Sequence, residues 1–198
     1  MNFDDLYDSV KDRLQISRER MYTLLGYVAA CCDLKGEFWE CGVFNGGSAR
    51  VLAEALRELR RKRTLRLFDT FSGFPGVAPQ DGDYPRIGMF NETSVESVRK
   101  YVDASFASLH QGIIPETFKG LENTKIAFAH LDMDLYEPTK ASLEFVLPRL
   151  LKGGVVIIDD YGDSHYPGVA AAVDQFGRKL TVNAFGEHDR QAVIIEEA

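Results

Sequence analysis

The sequence predicts an α/β fold, a doubly wound, mostly parallel seven-stranded sheet that closes with an antiparallel hairpin. Short apolar runs alternate with helix-period patterns along the chain, an order that implies parallel strands with helices on both faces. Two of these runs, residues 126–131 and 155–158, each deliver an acidic cluster, Asp132-Met133-Asp134 and Asp159-Asp160. Buried strands of such sheets end where ligands bind, so four carboxylates at two neighbouring strand ends predict a divalent-cation site. The last two runs, 180–185 and 191–195, flank a polar stretch from Gly186 to Arg190 and read as the closing hairpin.

The remaining elements follow in order. Residues 4–32 read as helical, with Leu6, Val10, Leu14, Met21, Leu24, Leu25 and Val28 forming a broken apolar stripe, and residues 1–35 form a predicted helical cap. The first strand is 38–43, followed by a Gly46-Gly47 turn into a helix to about residue 59, and the second is 65–68, closing on Asp69. Residues 71–92 are rich in Gly, Pro and Asp and long for a connection without periodicity, which makes them a candidate lid or an ordered surface loop. Thr93-Ser94-Val95-Glu96 has the spacing of a capping box and predicts a helix to about residue 106. A short third strand is predicted at 108–111 and the fourth at 126–131. Pro138 suits the first turn of a helix reaching about residue 151, Gly153-Gly154 resets the chain into strand five, and 167–179 is the next helix.

With 198 residues, 45% apolar and 27% charged, the chain fits one domain over 1–198. Cys31, Cys32 and Cys41 are odd in number and sit beside apolar residues, which predicts buried reduced thiols rather than a disulfide or zinc framework. The start of the chain lacks the basic and apolar segments of a signal peptide, and no run reaches the roughly 18 apolar residues of a membrane span, so a cytoplasmic protein with no membrane partner is expected. A formal charge of −7 argues against a general nucleic-acid role. Arg57, Arg60, Arg61, Lys62 and Arg63 end a predicted helix, where cations complement the dipole, and a solvated helix end is preferred over an anion site.

The first strand end reads Glu40-Cys41-Gly42-Val43-Phe44-Asn45-Gly46-Gly47-Ser48. Glycines there let backbone approach a ligand, and the helix that follows offers unpaired N–H groups. The spacing is not Gly-x-Gly-x-x-Gly, and Glu40 would repel a pyrophosphate but attract an amine or a cation. Asp69 ends strand two, the usual place for a carboxylate that accepts ribose hydroxyls, although capping of the turn at Thr70-Phe71-Ser72 is the alternative. Tyr161 and His165 follow the second acidic cluster on a loop within reach of a substrate, and Tyr136 is a candidate pocket residue. His130 reads as a packed core histidine, and Trp39 as core. Asp134 faces away from Asp132 if the strand continues and inward if it turns. Helix capping is the bland reading of all four acids.

Taken together these motifs resemble the macrocin O-methyltransferase family. The Glu-x-Gly-x-x-x-Gly-Gly-Ser turn, Asp69-Thr70-Phe71-Ser72-Gly73-Phe74-Pro75, Gly112 with Pro115-Glu116-Thr117-Phe118, Leu131-Asp132-Met133-Asp134-Leu135-Tyr136-Glu137-Pro138-Thr139 and Gly153-Gly154 to Asp159-Asp160-Tyr161 stand in the family's order over about residues 36–178. The resemblance implies a Rossmann-like class I fold that binds S-adenosylmethionine and methylates a hydroxyl of a small-molecule acceptor, commonly a sugar of a natural product, with Mg²⁺ or Mn²⁺. It assigns Asp132, Asp159 and Asp160 to the metal, Asp132 also as base, and Glu40, Gly42, Gly46, Gly47, Ser48, Asp69 and Gly112 to the donor.

The chemistry is consistent with that assignment. A sugar hydroxyl is a poor nucleophile at neutral pH, and a metal that lowers its pKa beside a carboxylate that takes the proton would activate it. Catechol or phenol methyltransferases share such a site but pair the first Asp with a lysine a few residues on; position 135 is Leu and the nearest lysine is Lys140. Haloacid-dehalogenase phosphatases also carry an Asp-x-Asp after a strand, but near the N-terminus, and the room for their intervening motifs is missing here. A nonenzymatic nucleotide-binding module would need Glu40 and Asp69 but not the acidic clusters. The apolar surface of the first 30 residues makes a homo-oligomer an open expectation.

Overall fold

The computed structural model describes residues 2–60 and 63–197. In chain order it contains α1 (Phe3–Val10), α2 (Arg18–Cys31), β1 (Glu37–Cys41), α3 (Gly47–Glu58), β2 (Leu65–Asp69), α4 (Val95–Val102), β3 (Ala107–Gln111), β4 (Ile126–Leu131), α5 (Tyr136–Val146), β5 (Leu150–Asp159), α6 (Pro167–Val173), β6 (Thr181–Gly186) and β7 (Asp189–Ile195). Among the described residues the strands form one seven-stranded sheet in the order β3-β2-β1-β4-β5-β7-β6. The first five pair in parallel, and β7 runs antiparallel to both β5 and β6. The doubly wound sheet with its closing hairpin is thus the architecture expected from the sequence.

Alternation along each strand divides the core between the two faces. Phe38, Leu65, Leu67, Phe128, Val155 and Ile157 pack with α1, α2 and α3 on one side, and Trp39, Phe68, Ile126, Val156 and Ile158 pack with α5 and α6 on the other. β4 is the central strand of the sheet and is buried at every residue, as its unbroken apolar run requires. Cys31, Cys32 and Cys41 are free and buried. No helix among the described residues is long and apolar enough to cross a membrane.

The structure departs from the expected boundaries for identifiable reasons. The helical pattern over 4–32 is two helices, because the segment between them crosses the start of α3. There Arg13 donates to the Asn45 carbonyl at 3.3 Å, and a Cβ on Gly47 would come within 2.5 Å of the Arg13 carbonyl oxygen. α4 starts from Ser94, whose hydroxyl accepts from Ser97 N at 3.2 Å, because Thr93 is drawn away to the Phe44 carbonyl. α4 then ends at Val102, with Asp103 in the left-handed region. β5 begins at Leu150, ahead of the glycine pair. In the basic run, Arg57 pairs with Glu54 at 2.7 Å and Arg63 donates to the Leu34 carbonyl at 2.9 Å; Arg61 and Lys62 lie outside the described residues.

Residues 71–92 carry little regular structure apart from one short 3-10 turn at Pro79–Asp81. The segment is nevertheless tied down. Asp81 is buried, and its carboxylate accepts from Ala78 N at 2.7 Å and from Tyr136 N, the first residue of α5, at 2.6 Å. Gly168 in α6 makes room for that contact, since a Cβ there would meet Asp81 Oδ1 at 2.0 Å.

Candidate active site

A cavity of about 770 Å³ opens at the C-terminal ends of β1, β2 and β4, where open α/β sheets bind ligands. Gly42, Gly47, Ser48, Asp69, Gly112, Asp132, Asp134 and Asp160 are on its wall. Glu40 and Asp159 lie buried next to it, whereas Gly46, Tyr136, Tyr161 and His165 are not on the wall. Tyr136 instead accepts from Gln175 at 2.8 Å, and the Tyr161 hydroxyl donates to Asp174 at 2.8 Å.

Sheet register builds the floor. Glu40 pairs with His130 across β1 and β4, and Asp159 pairs with Gln191 across β5 and β7. Glu40 and His130 therefore share the face covered by α2 and α3. His130 Nδ1 lies 3.1 Å from Glu40 Oε1, and His130 Nε2 lies 3.3 Å from Asp159 Oδ2 without the alignment of a hydrogen bond. Gln191 donates to Asp159 Oδ1 at 2.6 Å. Arg20 reaches in from α2, only 4% exposed, with its guanidinium 3.5 Å from Asp159, 2.8 Å from Asp160 and 2.6 Å from Asp189.

Each of these buried charges shapes its neighbours. Burial works to lower the His130 pKa, but Asp159, Glu40 and Asp132 outweigh it and hold the imidazole well above its ordinary range. Burial works to raise the Asp159 carboxyl, yet His130 and Arg20 hold it below the usual value. Glu40 is raised by burial, which the hydrogen bond to His130 offsets only in part.

The acidic cluster behaves differently. Asp132, Asp134 and Asp160 each offer a carboxylate oxygen, and these atoms lie within 4.8 Å of one another; Asp132, Asp159 and His130 form a second such group. Asp134 comes inward because it sits in the left-handed region at φ 63° and turns the chain beyond β4. Burial and then Asp159 and Asp160 push Asp132 well up, and burial with Asp160 and Asp132 does the same to Asp134. Arg20 only partly counters burial at Asp160, which is also raised. The clustered hard oxygens of Asp132, Asp134 and Asp160, raised by burial and mutual repulsion with only Arg20 beside them to offset it, are a donor set that fits a divalent ion such as Mg²⁺.

The turn after β1 brings two strand ends together at the edge of the cavity. Gly42 has φ 84°, and a Cβ there would sit 1.7 Å from the Asp132 carbonyl oxygen, so the ends of β1 and β4 can touch only at glycine. Asp69 Oδ2 accepts from Val43 N at 2.7 Å and Phe44 N at 2.9 Å, and Oδ1 accepts from Phe71 N at 2.7 Å. This carboxylate organises both turns and, with three of its lone pairs used, keeps one on Oδ1 for a further donor. Glu40 Oε2 has no hydrogen-bond partner.

The model of the macrocin O-methyltransferase (TylF) family matches residues 5–194. The chain belongs to this family. Among relatives of assigned activity, the chain is 33% identical over 138 residues to 8-demethyl-8-(2,3-dimethoxy-alpha-L-rhamnosyl)-tetracenomycin-C 4'-O-methyltransferase of Streptomyces olivaceus, covering 64% of this chain and 53% of that one. It is 29% identical over 163 residues to demethyldecarbamoylnovobiocin O-methyltransferase of Streptomyces niveus, covering 76% and 61%. The chain thus spans between half and two thirds of these relatives' length. The solved structure of the O-methyltransferase NovP superposes with a TM-score of 0.76 at 22% identity, over 92% of this chain and 81% of that one, and shows the chain to share its fold.

Several site residues escaped sequence reading. Arg20 lies four positions before Leu24 and so on the apolar stripe of α2, a placement that could have marked it as buried. His130, read as a packed core histidine, is a polar residue inside an apolar run and stands opposite Glu40 on the adjacent strand, a second usable signal. Asp163 and His188 carried none, being brought together only by the hairpin.

Proposed function

We propose that this macrocin O-methyltransferase family member transfers a methyl group from S-adenosylmethionine to a hydroxyl of a small-molecule acceptor, a sugar of a natural product, in a divalent-metal-dependent reaction. The observation that carries the reading is the meeting of two sites in one cavity: the Gly42 turn with Asp69 on one side, and Asp132, Asp134 and Asp160 on the other.

Glu40, with Oε2 unpartnered, would accept from the ammonium of the donor, and Asp69 from a ribose hydroxyl through Oδ1. The backbone from Gly42 to Ser48, which leads into the N-terminus of α3, borders the cavity and would run alongside the donor. Asp132, Asp159 and Asp160 would hold the ion, and Asp134 would supply a further oxygen to the cluster. A divalent cation there lowers the pKa of a hydroxyl bound beside it. Asp132 takes the hydroxyl proton as the new C–O bond forms and the C–S bond of the sulfonium breaks. Negative charge from both sites matches the positive sulfonium in sign. Phe44, Phe74, Phe90, Val77 and Ile113 give the cavity an apolar side suited to an aglycone. Residues 71–92, which supply three of these, act as a lid over the acceptor. Lys140 lies over the Tyr136 ring at 5.8 Å, off the cavity wall, which favours Asp132 over a lysine as base.

The family's named relatives act on sugar-bearing antibiotics, and that chemistry sets the first acceptors to try. Incubation with methyl-labelled donor and rhamnosylated or noviosylated acceptors should give a labelled methyl ether with Mg²⁺ and none with EDTA. Equal transfer in EDTA would sink the metal assignment.

A further inference from the structure

We infer that Asp163, His165 and His188 form a second cation site, for a first-row transition ion such as Zn²⁺, distinct from the all-carboxylate cluster. Asp163 Oδ1 lies 2.8 Å from His188 Nδ1 and 3.3 Å from His165 Nδ1, and one ligand atom from each residue falls within 4.8 Å of the others. Bonds of about 2.0–2.1 Å to a tetrahedral ion put ligand atoms roughly 3.3 Å apart, so the three side chains need only a small rotation of the imidazoles to share one.

The carboxylate is already fixed. Asp163 is 3% exposed, its amide donates to the Asp160 carbonyl at 3.0 Å, and its Oδ1 accepts from His165 N at 2.8 Å. The imidazoles are the exposed half, with 42% and 43% of their side chains exposed and ring centroids 4.2 Å apart. Tyr84 packs against the other side of His165 with ring centroids 4.4 Å apart. Donor chemistry separates the two sites: two imidazole nitrogens and one carboxylate select a transition ion, whereas oxygen-only clusters suit Mg²⁺. Asp163 and His188 both stand on the cavity wall. An ion bound here staples the β6–β7 turn to the loop after β5, beside the proposed acceptor pocket.

The test needs neither methyl donor nor acceptor, so its failure leaves the proposed reaction untouched. Chelator-stripped protein in excess Mg²⁺ is titrated with Co²⁺ by visible absorption and with Zn²⁺ by calorimetry. One equivalent of either should bind, with affinity weakened at least about tenfold in His165→Ala and in His188→Ala and retained in Asp132→Asn. On the wild-type protein, Zn²⁺ should also shield His165 and His188 from diethylpyrocarbonate, read by peptide mass spectrometry. Absence of saturable Co²⁺ or Zn²⁺ binding overturns the inference. So does binding that survives in both histidine variants but disappears in Asp132→Asn, which places the ion among the carboxylates.

Discussion

His130 lies beside Glu40 on adjacent strands, its Nδ1 3.1 Å from Oε1, with both side chains wholly buried. The opposite ring nitrogen faces Asp159, so one imidazole spans from the proposed donor pocket to the proposed metal cluster. Replacing it with Gln leaves buried Glu40 without its cation and Asp159 with Arg20 alone, and should cost about 3–5 kcal/mol. The sign of the pH dependence follows from the shifts. His130 is raised, so its contribution is complete below the unfolded pKa near 6.5 and is lost as pH rises through its folded value. Asp159 is lowered, so its share is present above about pH 4 and is lost as pH falls through its folded value. The gap in urea midpoint between wild type and His130→Gln should be widest between these limits and close on the alkaline side.

Arg20 ties the helical cap to the acidic floor. Arg20→Met keeps most of the apolar stem but leaves Asp160 without its nearest cation and Asp159 with His130 alone, and a loss of about 3–5 kcal/mol is expected. Mg²⁺ should restore more stability to this variant than to wild type, because the ion then neutralises charge that Arg20 no longer does. Thermal unfolding with and without Mg²⁺ reads both effects.

Gly42→Ala tests the contact between strand ends. At φ 84° and with the Asp132 carbonyl 1.7 Å from the new Cβ, the backbone must shift. A loss of about 2 kcal/mol, or about 4–8 °C in Tm, is expected along with weaker donor binding. An unchanged Tm would show that β1 and β4 do not meet as described.

Metal affinity should rise with pH. Asp132 and Asp134 are held well above the ordinary carboxylate range, so below their folded pKa values a proton competes with the ion, and above them it does not. Mg²⁺ titrations across pH should show this climb, accompanied by proton release. Asp132→Asn and Asp159→Asn should abolish methyl transfer while leaving S-adenosylhomocysteine affinity within about twofold, whereas Asp134→Asn should cost less, about tenfold in rate.

The strands and their acidic ends were legible because buried parallel strands leave unbroken apolar runs, and residues 126–131 coincide with β4. The break between α1 and α2 was not legible, because the Arg13 contact with Asn45 competes with a local helical pattern that continues through it. The acids at 132, 134, 159 and 160 stood out by position, but the cations that hold them did not. Arg20 reads as an ordinary helix-surface arginine until the register of α2 on the sheet is known, and His130 reads as core until Glu40 and Asp159 appear at either end of its ring. Asp69 combines both sequence readings in part: its carboxylate does organise the turns, and it still faces the cavity.

Calorimetric titration of the folded protein with S-adenosylhomocysteine, with and without Mg²⁺, tests the donor assignment most directly. One equivalent should bind with micromolar affinity, and Glu40→Ala should weaken it by at least about tenfold, the loss of a charge-assisted hydrogen bond. Neither heat nor a rise in Tm, with S-adenosylmethionine as well as with the product, would contradict a methyltransferase site in this cavity.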